Sequence, residues 1–500
     1  MRNILANFIG SACNIVIFFA CVPFYVKLLG IEAYGLIGFF IMLQSLLQIF
    51  DFGLSMTMNR GIARYAVIPE KKQESRDFAR TLEIISYAVG AVIGITLFIA
   101  APYLSGHWLK AEGISAAVLS RTVMAMAILI ILQWPFNIYQ GGLMGLQRQV
   151  ALNALNIFMV ALAQGGGILF LRLVDSTITA YFIWQIAASA LRLLAVTTFF
   201  WRYMPDSGGR PKFNLNLIKK VRYFAIGMGG ITFFSLFFAQ IDKVFLSKLL
   251  TLKIFGYYTL ASMLAAVPTF LAVAIFNAAL PRFSGLEANG DLETLKQFYH
   301  RSCQFIAALV LPVMAVIIFF SFEIVLLWTG NIETARNVAP IASILVVGSA
   351  INALMSMPYG LQLAYGWTKL TLVVNALIAV VIIPGIFFMT NRYGALGAAS
   401  IWVILNAVYM LATIPIMHRR LIKMEMWHWI FGDVAVPLAT AVVASGVLRW
   451  LILIPKSQFR AFAILFLILL GTITVTALVL PQLRSMAMRK FSKKQHTAAS

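Results

Sequence analysis

The stretch KLLGIEAYG (27–35) is written again as KLLTLKIFG (248–256). In both, Lys-Leu-Leu is followed by four free positions, an aromatic residue and glycine, and the copies stand 248 − 27 = 221 positions apart. Other landmarks keep that offset. Arg80 is answered by Arg301 (301 − 80 = 221), NAL at 153–155 by NAL at 375–377 (375 − 153 = 222), Pro135 by Pro358 (358 − 135 = 223) and Arg172 by Arg392 (392 − 172 = 220). A drift of three residues across five landmarks marks a duplicated unit.

Composition says where that unit resides. Of the 500 residues 61% are hydrophobic and 11% charged, far from the balance of a soluble globular chain. Runs such as ISYAVGAVIGITLFIAAPYL (85–104) and LVVNALIAVVIIPGIFFMT (372–390) are long enough to cross roughly 30 Å of hydrocarbon as helix. Helices satisfy their own backbone where water is absent, so an all-α membrane bundle follows. About fourteen spans are expected, beginning near residues 4, 34, 82, 118, 150, 178, 223, 254, 303, 338, 371, 394, 433 and 459. The first, 4–26, is too long for a signal-peptide core and reads as a retained span.

The offset and the span count together predict two pseudo-symmetric six-helix lobes, 1–204 and 223–420, joined by a cytoplasmic linker at 205–222. Two extra helices (421–484) and a basic tail (485–500) complete the chain. An even number of spans per unit restores the starting side, so the lobes run in the same sense about an axis along the membrane normal, with a cavity expected between them. The linker sequence PDSGGRP is flexible enough to let lobes rock.

Charge sets the orientation. The connections after even-numbered spans, with both tails, hold about 26 of the Lys and Arg residues against about 12 on the other side, so that side and both termini are cytoplasmic. The net charge of +22 is thus explained by orientation and attraction to anionic lipid. No connection exceeds roughly twenty-five residues, too short to bury a core, so no soluble domain exists to bind nucleic acid. Cys13, Cys21 and Cys303 lie in apolar runs and support no disulfide framework. The five histidines, His107, His300, His418, His428 and His496, show no ligand spacing, so neither a metal nor a cofactor is expected.

Function then rests on polar groups inside the bilayer. A charge near the centre costs at least about 2.5–3.5 kcal/mol. Arg192 sits eight or more residues from either end of its span, deeper than its stem can snorkel. It either faces the cavity or makes a structural ion pair or carbonyl contact. Asp242 and Lys243, adjacent and so roughly 100° apart on a helix, are expected not to pair face to face. With Asp51, they are the candidate coupling residues, although Asp51 could equally cap a helix at DFG.

At the cytoplasmic mouth Arg60, Arg64 and Arg80 of the first unit are matched by Arg282 (282 − 60 = 222) and Arg301 of the second. The planar guanidinium suits a diphosphate, and positive-inside anchoring is the alternative. Amides recur through the spans, among them Gln44, Gln48, Asn156, Gln164 and Gln185, and Asn7, Asn14, Gln133, Asn137, Gln240 and Asn352 are the expected cavity polar set. Interhelical hydrogen bonding explains any one of them, whereas so many suggest a hydrophilic lumen for sugar hydroxyls.

The succession FYVKLLGIEAYGLIGF, LLQIFDFGLSMTMNRGIARY, QIDKVFLSKLLTLKIFGYYTLASML and IVLLWTG resembles the polysaccharide transporter family. These are bacterial flippases of lipid-linked oligosaccharides in the multidrug/oligosaccharidyl-lipid/polysaccharide exporter superfamily. The likeness covers nearly the whole chain, with Thr251 standing where the second lobe usually has glycine. It implies twelve to fourteen helices in two lobes, a cationic cavity, and movement of an undecaprenyl-diphosphate-linked glycan between leaflets of the inner membrane for O-antigen, capsule or exopolysaccharide. Glycosyltransferases or a polysaccharide polymerase would be partners. A peptidoglycan-precursor flippase shares the architecture, and a drug or metabolite antiporter would favour acidic cavity residues. An enzyme is not expected, because the outer connections, such as SGHWLKAEGIS (105–115) and GNIETARNV (330–338), are short and carry isolated acids.

Overall fold

The computed structural model describes residues 2–65, 68–219, 240–455, 457–482 and 484, with side chains described from residue 9. It is nearly all helix. Twelve helices among the described residues are long and apolar enough to span a membrane. Fourteen spans are expected from the sequence. Two of them, beginning near 371 and 394, fall in one 52-residue helix, and the one beginning near 223 lies outside the described residues. Contacts divide the chain into two compact units, Met1–Gly256 and Tyr257–Ser500.

The first unit contains α1 (Arg2–Leu29), α2 (Ile31–Leu47), a 3₁₀ turn (Gln48–Asp51), α3 (Leu54–Tyr65), α4 (Lys72–Tyr103) and α5 (Ala116–Gln133). It continues with α6 (Phe136–Gly145), α7 (Gln149–Leu173), α8 (Ile178–Tyr203), the short α9 (Leu215–Lys219) and the described part of α10 (240–249). The breaks follow from sequence. Ser115 and Thr177 accept hydrogen bonds from Val118 and Ala180 N–H and so cap α5 and α8. Pro135 has no N–H to continue α5. At DFG, Phe52 (φ 46°) and Gly53 (φ 70°) turn left-handed and end the second span. Met58, Ile62, Phe78, Tyr139, Leu143 and Phe200 form the inner core that joins α3, α4, α6 and α8.

The duplicated motif has a structural meaning in this unit. The second copy opens α11 (Leu252–Ala265) at the position equivalent to the start of α2 (252 − 31 = 221). A Cβ added at Gly35 would lie 2.2 Å from the Leu252 carbonyl oxygen, and one at Gly256 would lie 2.4 Å from the Ile31 carbonyl oxygen. The two copies therefore touch reciprocally, backbone on backbone, and only glycine permits it. Gly30 enters α2 at φ 82°, whereas its counterpart Thr251 avoids positive φ and forms a parallel bridge with Lys110. Leu252 N–H donates to the Lys110 carbonyl at 2.8 Å, so a loop bond replaces the glycine turn.

A buried carboxylate ties α4, α6 and α8 together. Glu83 on α4, 4% exposed, accepts from Arg80 Nη1 at 2.7 Å, from Trp201 Nε1 at 3.4 Å and from the Tyr139 hydroxyl. Glu83→Ala is expected to leave buried donors unmet and cost about 1–3 kcal/mol, seen as a lower unfolding midpoint in detergent. Arg80→Ala is expected to cost less than about 1 kcal/mol, because Arg80 is exposed.

In the second unit α12 (Val267–Ala288), α13 (Leu292–Thr329), α14 (Ile332–Leu354), α15 (Ser356–Ala364) and α16 (Lys369–Arg420) follow. A π-helix (His428–Ala435), α17 (Val436–Leu451) and α18 (Gln458–Val479) complete it. Helices α13 and α14 are its centre and are mostly buried, whereas the last two spans are mostly not. Gly394 (φ 58°, ψ −137°) folds α16 into the two expected spans, a conformation essentially closed to residues with a Cβ. The helix break between α5 and α6 recurs between α14 and α15 (354 − 133 = 221). The extra helices lie on α13, through Val316, Phe320, Leu465 and Ile468 and through Arg449 Nη1 donating to Glu323 Oε1 at 2.6 Å.

Candidate functional site

A chamber with mixed apolar and polar walls lies within the first unit, formed by α1, α2, α5, α6, α7 and α8. It comprises a space of about 170 Å³ and an adjoining one of about 60 Å³ that share Gln44, Gln133, Ser189 and Arg192 as walls. Gln44 Nε2 donates to Gln133 Oε1 at 2.6 Å, and Gln133 Nε2 to Ser189 Oγ at 3.0 Å. This relay links α2, α5 and α8 and fixes both amides. Gln48 and Asn137 line the smaller space, Gln164 and Gln185 the larger.

Arg192 stands one turn beyond Ser189 on α8, with its guanidinium carbon 3.6 Å from the Phe136 ring centroid. That distance is well within cation–π range. Its Nη2 donates to Asn156 Oδ1 at a long 3.4 Å, and its buried Nε has no hydrogen-bond partner. Among the described residues no carboxylate forms an ion pair with it. A guanidinium offers five donors in a fixed fork. Here the fork is held by an aromatic face and an amide.

The other expected site residues are distributed differently. Arg60, Arg64, Arg80, Arg282 and Arg301 are all exposed, and none is among the chamber walls. Arg80 is engaged with Glu83, and Arg282 lies 4.7 Å over the Phe298 ring. Of the expected cavity amides, Gln133 and Asn137 line the chamber. Asn14 is half-buried on α1, Gln240 half-buried on α10, and Asn352 Nδ2 donates to Asn406 Oδ1 at 2.9 Å in the second unit. The side chain of Asn7 lies outside the described residues. Asp51 is a helix cap: Ser55 Oγ donates to Oδ1 at 2.8 Å and Ser55 N–H to Oδ2 at 3.3 Å. Asp242 and Lys243 approach to 3.9 Å, which corrects the expectation that neighbours cannot meet. Ser189 and Phe136 also line the chamber, and being respectively small and apolar they carry no sequence signal that marks them as walls.

Fold and chamber together define a polytopic α-helical membrane protein with a cationic, amide-lined pocket inside its first unit. Residues 25–332 match the family described as "Polysaccharide biosynthesis protein", and the chain belongs to that family. It is 22% identical over 429 residues to the "Putative O-antigen transporter" of Shigella flexneri, covering 82% of this chain and 96% of that protein. Its fold is similar to that of the lipid II flippase MurJ in an inward closed conformation (TM-score 0.69, 14% identity, 95% of this chain and 97% of that one). It is also similar to an inward-facing multidrug resistance MATE family transporter of the MOP superfamily (TM-score 0.65, 15% identity, 82% and 94% covered). The membership implied by the quoted motifs is thereby shown, as is the transporter-type helical fold.

Proposed function

We propose that this protein is a flippase that moves a polyprenyl-diphosphate-linked oligosaccharide from the cytoplasmic to the periplasmic leaflet of the inner membrane. The observation that carries the reading is Arg192, a chamber cation with no carboxylate partner among the described residues, set against the Phe136 ring and the Asn156 amide with Gln44 and Gln133 in the same walls. A diphosphate supplies the missing anion, sugar hydroxyls find both donors and acceptors in the glutamines, and the polyprenyl tail stays in lipid. The exposed mouth arginines would collect the diphosphate first. Lobes 1–204 and 223–420 would then rock about the substrate on the 205–222 linker, with both termini cytoplasmic. Family membership and the O-antigen relative support a glycan cargo. A cation antiporter fits less well, because among the described residues the chamber walls include no carboxylate.

The test is reconstitution of the purified chain into proteoliposomes carrying an undecaprenyl-diphosphate oligosaccharide. Its glycan is expected to become inaccessible to added glycosidase with time, in a protein-dependent manner. Transport of lipid II alone, or of a drug cation alone, would overturn the assignment.

A further inference from the structure

The five histidines are far apart in sequence, yet folding gathers His300, His428 and Asp433 so that one ligand atom from each lies within 4.8 Å of the others. We propose that these three side chains hold a divalent transition-metal ion of the zinc class, at the start of α17. This site is independent of the substrate chamber.

Asp433 is fully buried, and a buried carboxylate requires a compensating charge. Among the described residues no Lys or Arg lies at ion-pair distance from it; its ion-pair partners there are His300 (Nδ1 to Oδ2, 2.5 Å) and His428 (Nε2 to Oδ1, 3.9 Å). The surroundings have the form of a metal second shell. Gln304 Nε2 donates to Asp433 Oδ1 at 2.9 Å, leaving Oδ2 turned toward His300. The other nitrogen of His300, Nε2, faces Glu425 Oε2 at 3.2 Å, and Lys296 Nζ holds Glu425 Oε1 at 3.2 Å. Metal-bound imidazoles characteristically donate their second N–H to such a carboxylate. His418 is committed elsewhere, with Nδ1 on the Ile414 carbonyl and Nε2 facing the Tyr299 hydroxyl.

Backbone geometry points the same way. On an α-helix residues five apart diverge by roughly 140°. His428 and Asp433 lie in a π-helix, whose i→i+5 bonding returns them to one face, and π segments recur at functional sites. Tetrahedral bonds of about 2.0–2.2 Å set ligand atoms about 3.3–3.6 Å apart, so the ion would take the place of the 2.5 Å hydrogen bond between His300 Nδ1 and Asp433 Oδ2, which part slightly, while His428 closes in. His428, with its side chain 53% exposed, has room to swing in, and the same opening admits a water as fourth ligand. The ion would pin the π-helix and α17 to α13 at this end, as Arg449 and Glu323 do at the other.

The probe is Co²⁺, and then Zn²⁺, added to tag-free full-length protein in detergent. One equivalent is expected to bind, with Co²⁺ giving the visible spectrum of a tetrahedral site. His428→Ala, an exposed position that leaves the core intact, is expected to abolish the spectrum. Glu425→Gln is expected to keep it while weakening affinity about 10–100-fold. Chelation should lower the unfolding midpoint of the wild type and leave that of His428→Ala unchanged. Equal, spectrally silent Co²⁺ binding by wild type and His428→Ala would overturn the proposal and leave a hydrogen-bonded imidazolium pair in its place.

Discussion

Replacing Arg192 with alanine is expected to abolish surface-glycan export while the protein reaches the membrane in wild-type amount. Both halves of that outcome follow from the environment of one side chain. The guanidinium has an aromatic face at 3.6 Å, a long amide contact and an unpartnered Nε, and so contributes little to holding helices together. Its charge inside a span costs at least about 2.5–3.5 kcal/mol, so removing it should not harm insertion. A diphosphate, by contrast, would lose its charge-assisted hydrogen bonds, each worth about 1.5–3 kcal/mol. Loss of two would weaken ground-state binding by roughly 10²–10⁴-fold. Arg192→Lys keeps the charge but loses the fork, and partial export is expected. Glycan on the cell surface, measured against protein in the membrane fraction, separates these outcomes. Normal export by Arg192→Ala would remove the residue from the mechanism.

Arg192 was legible in sequence because a charge deep in an apolar run announces itself. Its setting was not, since Phe136, Asn156 and Ser189 are defined as neighbours only by how α6, α7 and α8 cross. The span starts near 34, 150, 178 and 459 fall close to the observed helix ends for a similar reason, because hydropathy and proline are local signals. The 221-residue offset carried the duplication, and the paired helix breaks at 133 and 354 follow it. Asp51 left two readings open, and the left-handed turn at Phe52 and Gly53 favours the cap. The histidine cluster was illegible: 433 − 300 = 133 positions separate its two closest members, and nothing in HWIFGDVA announces a π-helix.

Substituting valine at Gly35 or at Gly256 is expected to reduce export about 5–150-fold, and the double variant is expected to be no worse than either single one. The contact is reciprocal: each glycine admits the carbonyl oxygen that opens the other copy's helix, at 2.2 Å and 2.4 Å from where a Cβ would stand. A rotamer change relieves a clash with a side-chain tip, but a carbonyl belongs to the helix, so α2 and α11 must part. Overpacking of this kind costs about 1–3 kcal/mol. A cost of that size, falling on one conformation of a transporter, shifts its populations about 5–150-fold. Once either valine has parted the helices the second meets no obstacle, so the effects should be strongly non-additive, as for residues that share one contact. Gly471→Ala on α18, where a Cβ meets nothing within 4 Å, is the control and should leave export unchanged. Additive losses at Gly35 and Gly256 would mean that the two copies of the motif act separately, and the duplication would then record ancestry without a shared mechanical role.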